Sequence, residues 1–166
     1  MKTILLIRHA KSSWDDLYLA DFDRPLNERG KTDAPKMAKR LFNKEIRIDT
    51  FISSPAKRAK KTAEIFAEQY DRKKDSIILV PALYEASRSI FFDTVANAPQ
   101  KSRSIAIFSH NPGITDFANA LTSMRIDNMP TCSVFAVKFD IDDWSEFKEA
   151  SKEFYFFDFP KSIQDE

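Results

Sequence analysis

Apolar residues fall along the chain in two alternating kinds of run. Short, nearly continuous runs of Ile, Leu, Val and Phe occupy 3–7, 48–52, 77–80, 104–108, 133–139 and 153–159. Runs of this length and composition predict strands, and the near absence of polar positions in 3–7 and 105–108 predicts central strands covered on both faces. Between them lie longer stretches with helical spacing. Ala34, Met37, Ala38 and Leu41 form one apolar stripe behind Asn27, a candidate N-cap. Pro35 falls inside that stripe and predicts either a kink or a delayed start. Ala59, Ala63, Phe66 and Tyr70 form a second stripe, with Ser54 placed to cap it and Pro55 at the favoured first position. A third helix is predicted over 89–96, and a fourth from Asn111-Pro112 through Phe117 and Leu121. Strands alternating with helices predict an α/β fold. The expected architecture is a three-layer sandwich with helices on both faces of a mostly parallel sheet of about six strands. The aromatic run Phe154-Tyr155-Phe156-Phe157 is expected to supply an antiparallel edge strand, or an apolar partner surface.

Composition narrows the function classes. The 166 residues contain no repeat, linker or low-complexity segment, so one domain over 1–166 is expected. A chain of this size buries ~70% of the surface its unfolded form exposes and needs no disulfide to hold a core, which agrees with the single Cys132. The 26 Lys and Arg against 25 Asp and Glu give a net charge of +1 and no electrostatic reason to expect nucleic acid or a membrane surface as partner. Gly30 and Gly113 are the only glycines, too few for the phosphate-cradling loops that bind ATP or NAD. No cofactor is expected. The N-terminal MKTILLIRHA has too short an apolar run for a signal peptide or membrane span, which predicts a cytoplasmic protein.

The candidate chemistry sits at two strand ends. His9 and His110, the only histidines, each follow a predicted central strand. The carboxyl ends of parallel strands form the ligand crevice, so the two imidazoles are expected to meet there. Arg8 precedes His9, and Arg58 lies in the first turn of the helix behind Ser53-Ser54-Pro55, where a long side chain leans back toward the crevice. Two arginines and two helix N-termini around two imidazoles describe an anion site suited to a phosphoryl group. The same arginines would repel a divalent metal, and two histidines without clustered cysteines make a poor zinc site, so no metal is expected.

Cysteine-phosphatase chemistry needs an arginine at fixed spacing after the cysteine, whereas the run after Cys132 leads to Lys138. Asp21-Phe22-Asp23 lies in a polar loop and not at the end of an apolar strand, so it is expected to order the loop or pair with an arginine, with a substrate-facing role as the lesser alternative. Histidine remains as the nucleophile. A neutral imidazole attacks phosphorus in line and water then hydrolyses the phosphohistidine. Arg8 and Arg58 would disfavour the imidazolium of His9, and the other ring nitrogen should donate to a backbone carbonyl.

These segments carry a resemblance. Arg8-His9-Ala10-Lys11-Ser12, Asp23-Arg24-Pro25-Leu26-Asn27-Glu28-Arg29-Gly30, Ser53-Ser54-Pro55 with Arg58-Ala59 and Thr62-Ala63, and Ser109-His110-Asn111-Pro112-Gly113 occur in an order and spacing similar to the histidine phosphatase superfamily. Within it the chain most resembles the small SixA-type phosphohistidine phosphatases. The resemblance implies that His9 is the phosphorylated nucleophile, that Arg8, Arg58 and His110 form the phosphate pocket, and that no metal is used. Ser12 and Asn111, inside the matching motifs, are carried as candidate substrate-binding residues. Ala10 stands where the superfamily commonly has glycine, as in the SixA-like branch. Glu85 occupies the place where many relatives carry an acidic residue. It is either the acid that protonates an alkoxide leaving group or an ordinary loop glutamate.

The substrate expected from this pattern is a phosphohistidine on another protein. The alternatives are a small phosphorylated metabolite, with mutase chemistry a weaker variant, and a non-catalytic phosphate-binding protein. Only 85–100 offers sequence for a lid, which suits an open crevice. Lys57, Lys60 and Lys61 and Arg72-Lys73-Lys74 are read as a solvated face, with steering of a phosphorylated partner as the other role.

Overall fold

The apolar runs become β1 (Lys2–Arg8), β2 (Thr50–Ser53), β3 (Ile78–Leu79), β4 (Ser104–Ser109), β5 (Val134–Phe139) and β6 (Glu153–Asp158) in a computed structural model that describes residues 1–162. They form one sheet in the order β3-β2-β4-β1-β5-β6. Neighbours from β3 to β1 pair in parallel, whereas β5 pairs antiparallel with both β1 and β6. The aromatic strand β6 is therefore the antiparallel-paired edge, and the strand that runs against β1 is β5, one place inside it. β3 keeps only two residues of its apolar run. Both are exposed at the opposite edge, and Pro81, which has no N–H for a ladder, opens a 3₁₀ turn directly after Val80.

Alternation along β1 builds the core in two halves. Ile4 and Leu6 face one side with Ile105 and Ile107 of β4, and Leu5 and Ile7 face the other with Ala106 and Phe108. The second side is covered by α1 (Glu28–Asn43) and α2 (Lys57–Gln69), through Ala34, Met37, Ala38, Leu41, Ala63 and Phe66. The first is covered by α3 (Arg88–Ala96), α4 (Gly113–Leu121) and the 3₁₀ segment Trp144–Glu149, through Phe91, Val95, Phe117, Trp144 and Phe147. Burying each Leu, Met, Val or Phe among them stabilises the fold by roughly 1.5–3 kcal/mol. Among the described residues no helix is long and apolar enough to cross a membrane.

Helix starts position the site. Asn27 caps α1 by accepting the Gly30 N–H at 2.8 Å, as its place in the sequence predicts. Gly30 has a further reason to be glycine, because a Cβ there would stand 2.2 Å from the Lys11 carbonyl oxygen, in the segment that follows His9. Pro35 does not delay the start, and α1 runs unbroken through it from Glu28 to Asn43. It lies inside α1 on an exposed position, as does Lys31, whose carbonyl loses its N–H partner to the proline. The start of α2 differs from expectation: Lys57 is its first residue and Ala56 its N-cap, so Ser54-Pro55 lies before the helix. Ser54 still accepts the Ala56 N–H at 3.2 Å, but its hydroxyl is drawn into the site. α4 begins at Gly113 with Pro112 as its N-cap, so Asn111 lies just outside it. A Cβ on Gly113 would meet the Ala86 carbonyl oxygen at 2.1 Å, and that close approach brings the segment carrying Tyr84 and Glu85 alongside His110.

Candidate active site

Sheet register assembles the site. Arg8 at the end of β1 is paired with Ser109 at the end of β4, and Ser53 of β2 with Phe108. The next residues of the three strands, His9, His110 and Ser54, thus emerge side by side. The two imidazole centroids stand 5.1 Å apart, and His110 Nε2 lies 2.7 Å from the Ser54 hydroxyl. The segment before β5 closes the other flank, with the Cys132 N–H donating to the carbonyls of both Arg8 and His9 at 3.0 Å. Cys132 is fully buried and adopts φ of 60°, a left-handed conformation costing about 1–2 kcal/mol for a residue with a Cβ. Burial pushes its thiol far above its ordinary pKa, so this cysteine is an inert packing residue.

His9 has one fixed tautomer. Its Nδ1 lies 2.7 Å from the Ala10 carbonyl oxygen, which can only accept, so Nδ1 carries the proton and Nε2 the lone pair. Arg58 Nε donates to that Nε2 at 3.4 Å, consistent with the same tautomer. The pKa of His9 is pushed down to about 3, first by burial and then by His110, Arg58 and Arg8, against the opposing pull of the Ala10 carbonyl. The arginines act in the direction the sequence implies, but removal from water is the larger cause. His110 is likewise pushed to about 3 by burial, then by Arg58, with Asp21 opposing.

Cations surround the imidazoles. Arg58 leans back from the first turn of α2, donating through Nη1 to the Asp21 carbonyl at 2.7 Å and through Nη2 to the Asp21 carboxylate at 3.1 Å. Arg8 donates through Nη1 to the Met129 carbonyl at 2.8 Å. Its Nε and the Nδ1 of His110 are buried without a hydrogen-bond partner among the described residues. Two orphaned nitrogens beside the lone pair of His9 are what a phosphoryl group with several acceptor oxygens would satisfy.

Asp21, outside the motif that marks the arginines, ties the site together. Its carboxylate accepts from Arg58, from Arg24 Nε at 3.1 Å and from the Tyr84 hydroxyl at 2.6 Å. These bonds, that of Tyr84 foremost, hold its pKa down to about 2. It is thus the arginine-pairing element expected of the loop.

The remaining candidates divide. Ser12 accepts from Arg24 Nη1 at 2.7 Å and lines a cleft of about 300 Å³ with Arg8, His9, Lys11 and Trp14. Asn111 lines the same cleft, but its amide donates to Asn128 at 2.6 Å and to the Met129 carbonyl at 3.1 Å while its oxygen accepts from Thr115. Its side chain therefore holds the segment that holds Arg8. Glu85 is exposed and lines an adjoining cleft of about 640 Å³ with Asp21, Arg24, Arg58, Tyr84 and His110. The segment 85–100 is not free to act as a lid, because α3 buries Phe91 and Val95 in the core. Sequence reasoning missed the pairing of Ser54 with His110, the bridging of Asp21 to Tyr84, and Thr62, whose hydroxyl accepts the Ala10 N–H at 3.0 Å and donates to the Arg58 carbonyl at 2.7 Å. The segments Ser53-Ser54-Pro55 and Thr62-Ala63, both inside the family motif, were the available signal for two of them.

Comparison with known proteins bears on the family and the fold. The sequence profile of the histidine phosphatase superfamily (branch 1) matches residues 4–91, more than half of the chain. An uncharacterized chloroplastic protein of Arabidopsis thaliana is 29% identical over 153 residues, covering 87% of this chain and 70% of its own. A 2,3-bisphosphoglycerate-dependent phosphoglycerate mutase of Bartonella henselae is 35% identical over 86 residues, 51% of this chain and 42% of the mutase. The protein histidine phosphatase SixA, in a complex with tungstate, superposes with a TM-score of 0.80 at 20% identity, covering 95% of this chain and 97% of that one. At that identity the likeness is one of fold.

Proposed function

Because the chain belongs to the histidine phosphatase superfamily, branch 1, we propose that it is a phosphatase whose nucleophile is His9 and whose substrate is a phosphohistidine carried by another protein. The observation that carries the mechanism is the fixed tautomer of His9, with Nδ1–H on the Ala10 carbonyl and Nε2 as a lone pair among guanidinium groups. The Nε2 lone pair attacks phosphorus, forming an N–P bond as the bond to the leaving group breaks and takes its electron pair. Water then attacks the phospho-His9, the N–P bond breaks, and inorganic phosphate leaves with His9 restored. Arg8, Arg58 and His110 supply donors to the non-bridging oxygens throughout, and their positioning is the greater part of the catalysis.

An imidazole leaving group needs little help from an acid. An alkoxide needs a proton, and Glu85, which lines the larger cleft with His110 and Arg58, is the residue this reading assigns to give one. This placement, with the partial match to a phosphoglycerate mutase, favours a small phosphoester as the second reading. Phosphate release from a histidine-phosphorylated protein, from a phosphoserine protein and from small phosphoesters separates the two. Release from phosphohistidine that is lost in His9→Ala is the expected result, and release confined to small phosphoesters would replace the first reading with the second. Activity that survives His9→Ala would remove the nucleophile.

A further inference from the structure

The rim of the cleft is built unlike its floor. Residues 14–22 form a loop whose ends are tied to the site: the Trp14 ring lies 3.5 Å beneath the Arg24 guanidinium, and Phe22 meets Tyr84 edge-on at 5.1 Å. Between these anchors the loop is shaped by its own turns. Asp16 accepts the Tyr18 N–H on its carboxylate at 3.0 Å and the Leu19 N–H on its carbonyl at 3.4 Å. The apolar side chains of the loop do not enter the core. Leu17 is 86% exposed, Tyr18 100% and Trp14 68%, with Leu19 and Phe22 also exposed. Trp14 lines both clefts, so this apolar surface is continuous with the place where phosphate chemistry occurs.

Charge gives the surface a second character. Asp15 and Asp16 on the loop, Asp23 directly after it, and Glu85 and Asp116 lining the larger cleft are all exposed and form no ion pair among the described residues. Lys11 is the exposed cation lining the smaller cleft. A cationic floor that attracts phosphate is thus surrounded by an apolar and mainly acidic rim. A small polar phosphoester would leave Leu17 and Tyr18 in water, and its own negative charge would be repelled by the rim carboxylates. A protein surface delivering a phosphoryl group into the floor must lie against that rim.

Resting on the phosphoprotein reading above, we infer that the loop 14–22, together with Glu85 and Asp116, is the docking surface for the protein that bears the phosphoryl group. The partner it fits carries apolar side chains beside its phosphorylated residue and Lys or Arg around them. Apolar contact through Leu17 and Tyr18 supplies affinity, and the carboxylates supply steering and discrimination.

The test uses the full chain and synthetic peptides phosphorylated with phosphoramidate on a single histidine, flanked by Leu, Phe and Lys, by Leu, Phe and Glu, or by Gly and Ser. Free phosphohistidine and p-nitrophenyl phosphate serve as substrates too small to reach Leu17 and Tyr18, which line neither cleft. The apolar, basic peptide should exceed the acidic one in kcat/KM by about tenfold or more. The double variant Leu17→Ser with Tyr18→Ser should lose about tenfold on that peptide alone, while both small substrates stay within about twofold. Asp15→Lys with Asp16→Lys should narrow the gap between basic and acidic peptides and weaken its salt dependence. Equal rates on all three peptides, or a loss in the loop variant shared by p-nitrophenyl phosphate, would overturn the docking surface. Should no phosphohistidine be cleaved, the substrate reading fails. The same flanks around phosphoserine then decide the surface separately: a flank preference erased by the loop variant upholds it, and indifference to the flanks overturns it.

Discussion

A single hydrogen bond decides what His9 can do. The Ala10 carbonyl fixes the proton on Nδ1, and burial holds the ring neutral, so the lone pair on Nε2 is available throughout the neutral range. Asp21 plays the reverse part, since its carboxylate stays charged and holds Arg58 and Arg24 in place. Neither role follows from residue type alone: one depends on a carbonyl one residue away and the other on a tyrosine hydroxyl 63 positions along the chain. Glu85 is the residue whose role chemistry must divide. With a phosphoester, Glu85→Gln should lower kcat by ~10²-fold, because the alkoxide then leaves without a proton. With phosphohistidine the loss should be far smaller. Steady-state rates on both substrates check this, and small equal effects on both would make Glu85 an ordinary rim carboxylate.

At the scale of elements, the site is a product of strand register and helix starts. Parallel pairing of β1 with β4 and of β4 with β2 brings His9, His110 and Ser54 out at one edge of the sheet. Gly30 and Gly113 let two backbone segments approach where no side chain fits, and each approach carries a rim segment to the cleft. The helix α1 shows a local rule overruled. Pro35 removes one hydrogen bond, yet the buried stripe of Ala34, Met37, Ala38 and Leu41 keeps the helix continuous from Glu28 to Asn43. Since Pro35 is exposed and lines neither cleft, Pro35→Ala should restore the bond to Lys31 and stabilise the protein by about 1–3 kcal/mol. Denaturant unfolding should show that gain with kcat unchanged. A destabilised variant would mean that the ring itself makes a packing contribution.

For the whole molecule, two buried neutral histidines make stability depend on pH. Both titrate near 3 in the folded chain and near 6.5 when unfolded. Between those values the unfolded state binds more protons, so their contribution is complete above about pH 6.5 and is lost progressively as pH falls toward 3. Each group can add a slope of up to ~1.4 kcal/mol per pH unit in that window. Asp21 joins in the same direction only below its ordinary carboxylate range. Unfolding free energies measured between pH 4.5 and 7.5 should therefore decline toward acid, and His110→Asn should remove about half of the slope. An unchanged slope in that variant would show that His110 already carries a proton in the folded state. The sequence by itself determined the α/β alternation, the near-complete set of strands and helices, and the pairing of His9 and His110 with Arg8 and Arg58, because hydrophobic periodicity and the ends of strands are local properties. Its motifs also sufficed for membership in the histidine phosphatase superfamily, which the profile match over 4–91 bears out. Only the tertiary structure decided that Ser54 serves His110 and not the cap of α2, that Asn111 spends its amide on Asn128 and Met129, and that Asp21 joins Arg24, Arg58 and Tyr84. Those contacts link residues far apart in the chain, and their partners are chosen by register, close backbone approach and burial, which no local pattern encodes.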